Sequence, residues 1–183
     1  MKNTWRFQGN EFKYIKEVIK SGEGSGRFGN MNNRFEQAFA EKCGAKYAIT
    51  FNSGTGTMHA GLAALDVNAG DEVIVPPLTV IANISVIFAQ NAIPVFADID
   101  PETFNVDPED IKRKITNKTK CIMPVSLYGL SADLDPIMRI AKENNIGVIN
   151  DAAEAHGTTY KGKKIAEIAD ITSFSTESSK HIT

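Results

Sequence analysis

Six short β-rich runs alternate with longer helical patterns over most of the chain, and this alternation constrains the fold more than any other feature. Several of the runs are nearly continuous Val, Ile and Phe, which is typical of strands covered on both faces. The predicted strands are 48–52, 72–76, 93–99, 120–126, 147–151 and 171–175. The predicted helices between them are 56–67, 79–91, 108–116 and 133–145. The pattern predicts an α/β fold with a mainly parallel sheet and right-handed crossovers.

Two further helical patterns, at 10–22 and 32–44, precede the first predicted strand. They are separated by a segment rich in Gly, Ser and Asn, which predicts a loop able to reach a ligand or a partner chain. Later in the chain, Asp135 followed by Pro136 is typical of an N-cap and the first residue of a helix. The segment YKGKKI, at 160–165, indicates a small hairpin.

Composition excludes several classes of function. The 183 residues carry a net charge of −2, which gives no support for binding to nucleic acid or to a membrane surface. The longest apolar stretch is too short to span a bilayer, and the first residues lack the apolar core of a signal peptide, so we expect a cytoplasmic protein. Cys43 and Cys121 lie far apart without a CxxC motif, which favours two buried thiols over a disulfide or a zinc site.

The first stretch that could carry chemistry is NSGTGTMHAGLAAL, which joins a predicted strand to a helix. Ser53, Gly54, Thr55 and Gly56 offer backbone N–H groups at a helix N-terminus, and their small size lets an anion such as phosphate approach. The same residues also fit a plain N-cap turn. The stretch is neither a P-loop, since no GK[ST] follows, nor a dinucleotide-binding G-x-G-x-x-G motif.

The second stretch is VINDAAEAHG, in which Asp151 ends an apolar strand. Ligands of parallel α/β sheets bind beyond the carboxyl ends of the strands, so a carboxylate at this position could pair with a cationic ring nitrogen, as pyridoxal-phosphate enzymes require. Alternatively, Asp151 caps the following turn. Glu154 and His156 add polar groups to the same segment, or are solvated loop residues.

The third stretch is SFSTESSKHIT, in which several serines surround Lys180. A lysine that acts as a nucleophile must be partly neutral, and burial or a nearby cationic centre provides this. A solvated surface lysine is the alternative. If the strands 147–151 and 171–175 are parallel neighbours, Asp151 and Lys180 reach the same crevice.

These motifs together resemble the DegT/DnrJ/EryC1/StrS family of pyridoxal-phosphate-dependent sugar aminotransferases, from about Gly9 to the end of the chain. The resemblance is carried, in order, by SGTGTMHAGLAAL, DEVIVPPLTVIANISVI, IPVFADIDPETFNVDPEDI, PVSLYGLSADLDPI, INDAAEAHG and SFSTESSK. It implies the large domain of fold type I, the fold of aspartate aminotransferase.

The resemblance also implies roles for single residues. Lys180 matches the lysine that binds pyridoxal 5'-phosphate covalently, and Asp151 matches the acid that pairs with the ring nitrogen. Thr55 and Gly56 match the loop that holds the cofactor phosphate. The cofactor-binding residues predicted in this way are Gly54, Thr55, Gly56, Val80, Asp151, Glu154, Ser175 and Lys180.

Two positions depart from the family pattern. Val80 stands where an aromatic residue often stacks on the cofactor ring, so stacking would be aliphatic here. Glu154 stands where glutamine is frequent, near the phenolic oxygen of the cofactor, and a carboxylate there is unfavourable unless a cation is close or one group is protonated.

The activity implied is transfer of an amino group from an amino acid, with glutamate expected, to a nucleotide-linked keto sugar. The product would be an amino sugar for surface polysaccharide or a glycosylated metabolite. The family implies a homodimer, with the loop 22–30 reaching the partner chain. The alternatives are a pyridoxal-phosphate-dependent sugar dehydratase, in which histidine replaces the lysine, a non-catalytic regulatory protein or remnant, and a nucleotide-binding α/β domain.

Family members continue past the lysine with a glycine-rich segment, an antiparallel strand and a smaller C-terminal domain. We therefore expect residues 1–183 to be the N-terminal part of the cofactor-binding domain, and the isolated chain to be inactive. The predicted strand 48–52 would then lack a neighbour and expose apolar side chains.

Overall fold

The computed structural model describes residues 9–26 and 29–182, which form two compact units divided after Thr50. The first unit contains the helices α1 (Glu11–Ser21) and α2 (Met31–Cys43). Both end at a glycine with positive φ, Gly22 at 71° and Gly44 at 70°, a conformation that glycine adopts without steric cost. The two helices predicted before the first strand are thus confirmed. Part of the predicted partner-reaching loop, residues 27–28, lies outside the described residues.

The second unit is built on a five-stranded parallel sheet with the order β2-β1-β3-β4-β7. Its strands are β1 (Glu72–Val75), β2 (Ile93–Phe96), β3 (Thr119–Ile122), β4 (Gly147–Asp151) and β7 (Ile171–Ser173). The connecting helices are α3 (Gly54–Ala64), α4 (Ile81–Ala89), α5 (Pro108–Lys114) and α6 (Leu134–Asn144). The prediction of an α/β fold with a mainly parallel sheet is confirmed.

The predicted strand at 48–52 is wrong, because no regular strand forms there. Ile49 is 72% exposed and Phe51 is 47% exposed. A strand needs a neighbour for its backbone N–H and C=O groups, and no described segment pairs with these residues. An apolar run is therefore not sufficient to form a strand.

The helix predicted at 133–145 is confirmed as α6, but its predicted N-cap is wrong by two residues. Asp133, not Asp135, occupies the N-cap position, and Pro136 lies in the first turn of the helix. Asp135 instead forms an ion pair with Lys161, with 2.6 Å between Oδ2 and Nζ. Lys161 belongs to the turn of the antiparallel hairpin formed by β5 (Thr159–Tyr160) and β6 (Lys163–Lys164), which confirms the hairpin prediction.

The central strands β1, β3 and β4 are covered on both faces, which explains their continuous apolar sequences. On one face, a buried cluster includes Ile74, Ile122 and Val148 of the sheet together with residues of α5 and α6. On the other face, Cys121 and Ile149 pack with residues of α3 and α4. Because side chains alternate along a strand, Asp151 points to the same face as Ile149.

The two cysteines differ in their surroundings. Cys121 is fully buried, and burial raises the pKa of its thiol. Cys43 is only half-buried, so the prediction of two buried thiols is wrong for this residue. Within the part of the chain that is described, no helix combines the length and apolar character needed to cross a membrane.

Candidate functional site

Asp151 is the last residue of β4 and is 2% exposed. Its backbone is held on one side by the segment after β3, since its N–H donates to the carbonyl of Pro124 and its carbonyl accepts from the N–H of Ser126. On the other side, the next residue donates to the carbonyl of Ser173 in β7. The carboxylate therefore projects from a fixed backbone at the carboxyl edge of the sheet.

The Asp151 carboxylate accepts two hydrogen bonds. The N–H of Ala153 lies 3.0 Å from Oδ1, and Nδ2 of Asn83 lies 3.0 Å from Oδ2. Burial raises the pKa of Asp151, while these two donors and the positive charge of Lys180 act in the opposite direction and the charge of Glu154 adds to the rise. A cation fixed beside this buried carboxylate would favour its ionised form.

Lys180 lies at the same edge of the sheet, with its side chain 23% exposed. Its Nζ lies 3.4 Å from Oε1 of Glu154, and its backbone N–H donates to the carbonyl of Glu177. Glu177 also donates its N–H to Oγ of Ser175. Hydrogen bonds from Ser178 and Ser179 lower the pKa of Glu177 to about 2, so this carboxylate stays ionised and shapes the turn that carries Lys180.

Glu154 joins Lys180 to a second loop. Its Oε2 accepts a hydrogen bond of 3.3 Å from the N–H of Tyr128, in the 3-10 turn Leu127–Gly129. Tyr128 has a positive φ of 53°, which is uncommon for a residue with a side chain. Of the two conditions expected to permit a carboxylate at position 154, a nearby cation or a protonated group, the first is met by Lys180.

The N-terminus of α3 lies against the end of β7. A Cβ atom on Gly54 would lie only 3.0 Å from Cβ of Ser175, so glycine permits this close approach. Ser53 is an N-cap whose Oγ accepts from the N–H of Gly56, at 3.1 Å. The N-cap interpretation is thus correct, and Gly54 and Thr55 remain as first-turn residues whose N–H groups lack intrahelical partners by geometry. Thr55 is exposed and Ser175 is buried.

Two predicted residues stand apart from these contacts. Val80 is the N-cap residue of α4 and is 57% exposed, and its carbonyl accepts from the N–H of Asn83. His156 packs its ring against Phe174, with 5.4 Å between ring centroids. Burial lowers the pKa of His156, and both ring nitrogens lack a hydrogen-bond partner among the described residues.

Asn83 also belongs to the site, although it was not among the residues predicted from sequence. This residue is fully buried, and its amide joins Asp151 to Thr79. A signal was present, because Asn83 lies three and four residues before Val86 and Ile87, on the buried stripe of α4. A buried amide on such a stripe must have hydrogen-bond partners.

A cavity of about 400 Å³ lies elsewhere in the second unit, between the segment after β2 and the β5–β6 hairpin. Its lining includes Asp100, Asn105 and Tyr160 but none of the predicted site residues. The candidate site is therefore defined by converging side chains at the strand ends and not by this cavity.

The donor set fits the three parts of pyridoxal phosphate. The ring nitrogen needs a buried acid, the aldehyde carbon needs an amine, and the phosphate needs N–H and hydroxyl donors at a site without bulky side chains. Asp151, Lys180 and the pair Gly54 and Ser175 provide these groups at one edge of the sheet.

Comparison with known proteins identifies the family and the fold of the chain. The sequence profile of the DegT/DnrJ/EryC1/StrS aminotransferase family matches residues 6–183. The chain is 46% identical over 178 residues to GDP-perosamine synthase of Caulobacter vibrioides, which covers 97% of this chain and 48% of that protein. The chain thus spans about half the length of the curated relatives it matches.

Two solved structures are similar in backbone as well. The aminotransferase from Psychrobacter cryohalolentis has a TM-score of 0.93 and 41% identity, over 99% of this chain and 46% of that chain. NtdA from Bacillus subtilis, solved with bound cofactor PMP, has a TM-score of 0.86 and 35% identity, over 93% of this chain and 38% of that chain.

Proposed function

Because this chain belongs to the DegT/DnrJ/EryC1/StrS aminotransferase family, we propose that its protein transfers an amino group from an amino acid to a nucleotide-linked keto sugar, with pyridoxal phosphate as cofactor. The observation that carries the proposal is the convergence of Asp151 and Lys180 at one edge of the sheet. The charge of Lys180 acts on the Asp151 carboxylate, and Glu154 contacts the Lys180 amine.

When bound, the cofactor supplies an electron sink for the substrate carbon that loses or gains a proton. Asp151 pairs with the ring nitrogen and keeps it protonated. Lys180 would hold the cofactor covalently, and its amine, once freed by the amino-acid substrate, would move a proton between the substrate carbon and the cofactor. Both roles require Asp151 and Lys180 to lie close together. The contact of Lys180 with Glu154, three residues after Asp151, supports this.

Gly54, Thr55, Gly56 and Ser175 hold the cofactor phosphate in this proposal. The first turn of α3 directs N–H groups and the positive end of the helix dipole toward the anion. The bare Cα of Gly54 keeps Ser175 close to that turn, so the hydroxyl and the N–H groups act on the same phosphate. Val80, exposed at the start of α4, forms an aliphatic wall of the site.

The names of the relatives support the proposed substrate class. GDP-perosamine synthase, at 46% identity, is named for an amino sugar carried on a nucleotide. We propose a substrate of the same class, with glutamate as amino donor and with the amino sugar used in polysaccharide or secondary-metabolite synthesis. The chain forms the N-terminal part of the cofactor-binding domain of this enzyme.

We further propose a cytoplasmic homodimer. The outward side of α4 and the segment before it expose apolar side chains, with Ile81 72%, Phe88 61% and Val80 57% exposed. A second copy of the protein would cover such a face and complete each site from two chains. The buried Cys121 takes part in no disulfide, which agrees with a reducing compartment.

Cofactor attachment tests the proposal. The protein at its natural length is mixed with pyridoxal phosphate and reduced with borohydride, which makes a lysine–cofactor bond permanent, and its peptides are analysed by mass spectrometry. We expect the cofactor mass on Lys180, with loss of the visible absorbance in Lys180→Ala and no change in the control Lys163→Ala, an exposed lysine of β6. Label on other lysines with none on Lys180 would refute the assignment.

Amino transfer is measured separately. With glutamate and a GDP-linked keto sugar, the loaded protein should release 2-oxoglutarate and form an amino sugar in equal amounts. Release of a dehydrated sugar without nitrogen would favour the dehydratase alternative.

A further inference from the structure

We propose that Asn83 is a positioning residue for Asp151: its amide holds the carboxylate ionised and oriented toward the cofactor ring nitrogen. The inference rests on the function proposed above, because it concerns the acid that pairs with the cofactor. Asn83 lies within the motif DEVIVPPLTVIANISVI, and the sequence alone assigned it no role in the site.

The hydrogen bonds of Asn83 fix its amide at both ends. Its Nδ2 lies 3.0 Å from Oδ2 of Asp151 and 3.6 Å from the sulfur of Met123. Its Oδ1 accepts a hydrogen bond of 3.0 Å from the hydroxyl of Thr79. An ionised carboxylate only accepts hydrogen bonds, so the amide nitrogen must face Asp151 and the amide oxygen must face Thr79.

The start of α4 presents this arrangement. Thr79 lies directly before the N-cap residue Val80 and Asn83 lies in the first turn of the helix, and the hydrogen bond from the Thr79 hydroxyl joins their side chains. Asn83 is fully buried and Thr79 is half-buried, whereas Val80 between them is exposed. The buried side of this turn therefore contacts Asp151 through Asn83, and the exposed side carries Val80.

The charges around Asp151 show why the amide matters. Burial favours the protonated acid, and the charge of Glu154 favours it too. The ionised acid is favoured by the positive charge of Lys180 and by donors from Ala153 and Asn83. Ala153 donates from its backbone, so Asn83 is the side-chain donor among the described residues whose replacement removes a hydrogen bond without altering the main chain.

The two bonds also leave room for a ring cation. Each carboxylate oxygen has about two acceptor directions, and each accepts one hydrogen bond here. The remaining directions can receive the ring N–H. Without the amide, the carboxylate could rotate about its Cβ–Cγ bond and would hold a proton more strongly, and both changes weaken its pairing with the ring.

The test replaces Asn83 by Leu, whose side chain has the same branching and the same number of non-hydrogen atoms but no hydrogen-bond donor. The protein at its natural length is loaded with pyridoxal phosphate labelled with ¹⁵N in the ring, and the ¹⁵N chemical shift is followed against pH. Losing one hydrogen bond to a charged group predicts about tenfold or greater weakening of cofactor binding. We also expect the ring nitrogen to lose its proton at a pH about one unit lower than in the wild type.

The control variant is Asn105→Leu. Asn105 is another buried asparagine, and it bonds the backbone of the 127–131 loop instead of Asp151. It should lose stability with an unchanged ring-nitrogen titration. A wild-type titration in Asn83→Leu would overturn the inference and leave Asn83 a purely structural residue.

A second variant decides the matter if Asn83→Leu does not bind cofactor. Thr79→Val removes the hydroxyl that orients the amide, and we expect a smaller shift in the same direction; an unchanged titration in this variant would equally overturn the inference. Failure of the proposed function is seen independently, as absence of lysine-bound cofactor in the wild type.

Discussion

Asp151→Asn isolates the charge of the acid from its shape. The carboxylate accepts from two donors, the amide of Asn83 and the N–H of Ala153. The amide of an asparagine has one oxygen, so it can satisfy only one of these donors and must turn its NH₂ toward the other. One buried donor is then left without an acceptor, which costs about 1–3 kcal/mol of the free energy of unfolding.

The loss of a buried charge opposes this cost. Burial raises the pKa of Asp151 in the folded protein above its ordinary value of 3.8. The folded state therefore binds the proton more tightly than the unfolded state does. Stability contributed by this group is highest below pH 3.8 and falls as the pH rises toward the folded-state pKa, by about 1.4 kcal/mol for each unit of pKa difference. Asparagine does not ionise, so the variant does not lose this stability as the pH rises.

We therefore expect Asp151→Asn to fold and to gain stability relative to the wild type as the pH rises from about 3 to neutral in the absence of cofactor. With pyridoxal phosphate present, the wild type should instead gain stability relative to Asp151→Asn. The lost pairing with the ring nitrogen is a charge-assisted hydrogen bond, worth roughly 1.5–3 kcal/mol, so the dissociation constant for pyridoxal phosphate should rise at least about tenfold. The rate of amino transfer should fall by at least about a hundredfold.

Thermal unfolding across pH, with and without pyridoxal phosphate, measures both effects. Asp110→Asn serves as the matched control, since Asp110 is also a buried aspartate and lies on α5, with hydrogen bonds to the N–H of Asp98 and to Arg113. It should change stability and leave cofactor affinity as it is. Wild-type cofactor affinity and rate in Asp151→Asn would refute the role assigned to Asp151.

Two further predictions concern the phosphate end of the site and acid stability. Gly54→Ala places a methyl group 3.0 Å from Cβ of Ser175, which separates the α3 N-terminus from β7. Cofactor affinity, measured by absorbance titration, should therefore fall severalfold. In the control Gly24→Ala the added Cβ meets nothing within 4 Å, so the affinity should not change. The hydrogen bond from Asp98, together with Arg113, lowers the pKa of Asp110, so its stabilisation is present above the ordinary value of 3.8 and is lost as the pH falls through the folded-state pKa. Wild-type acid unfolding therefore has a component that is missing in Asp110→Asn, and identical unfolding profiles below pH 4 would contradict this.

The sheet could be predicted from sequence because both of its faces are covered. Strands such as Val73–Val75 and Val148–Ile149 are apolar on both sides, and such runs have few interpretations other than a buried parallel strand. The run 48–52, with Ile49 and Phe51, also has a β-rich composition but has no hydrogen-bonding neighbour in the described chain. Strand formation depends on that neighbour, which no local pattern encodes.

The start of α6 shows a second limit of local reasoning. Both Asp133 and Asp135 can cap a helix, and the proline after Asp135 favoured the later start. In the fold, Tyr160 and Lys161 of the hairpin contact Asp133 and Asp135 respectively. Asp133 and Asp135 are locally equivalent as caps. The fold in which Asp133 is the N-cap also contains these contacts with hairpin residues about 26 positions away.

The candidate site likewise contains residues that local sequence patterns can locate and one residue that they cannot. Asp151 and Lys180 could be proposed from sequence because strand ends mark the ligand edge of a parallel sheet, a rule that needs only the order of the strands. Asn83 could not be placed by that rule, since it lies within a helix and meets Asp151 across 68 positions. What the sequence did contain was an amide on the apolar stripe of α4. Burial of an amide without a partner is costly, so such a residue indicates a buried polar contact even when its partner is unknown. At a ligand edge, the partner to test first is the acid that ends a neighbouring strand, because it is the group whose charge the buried donor can stabilise.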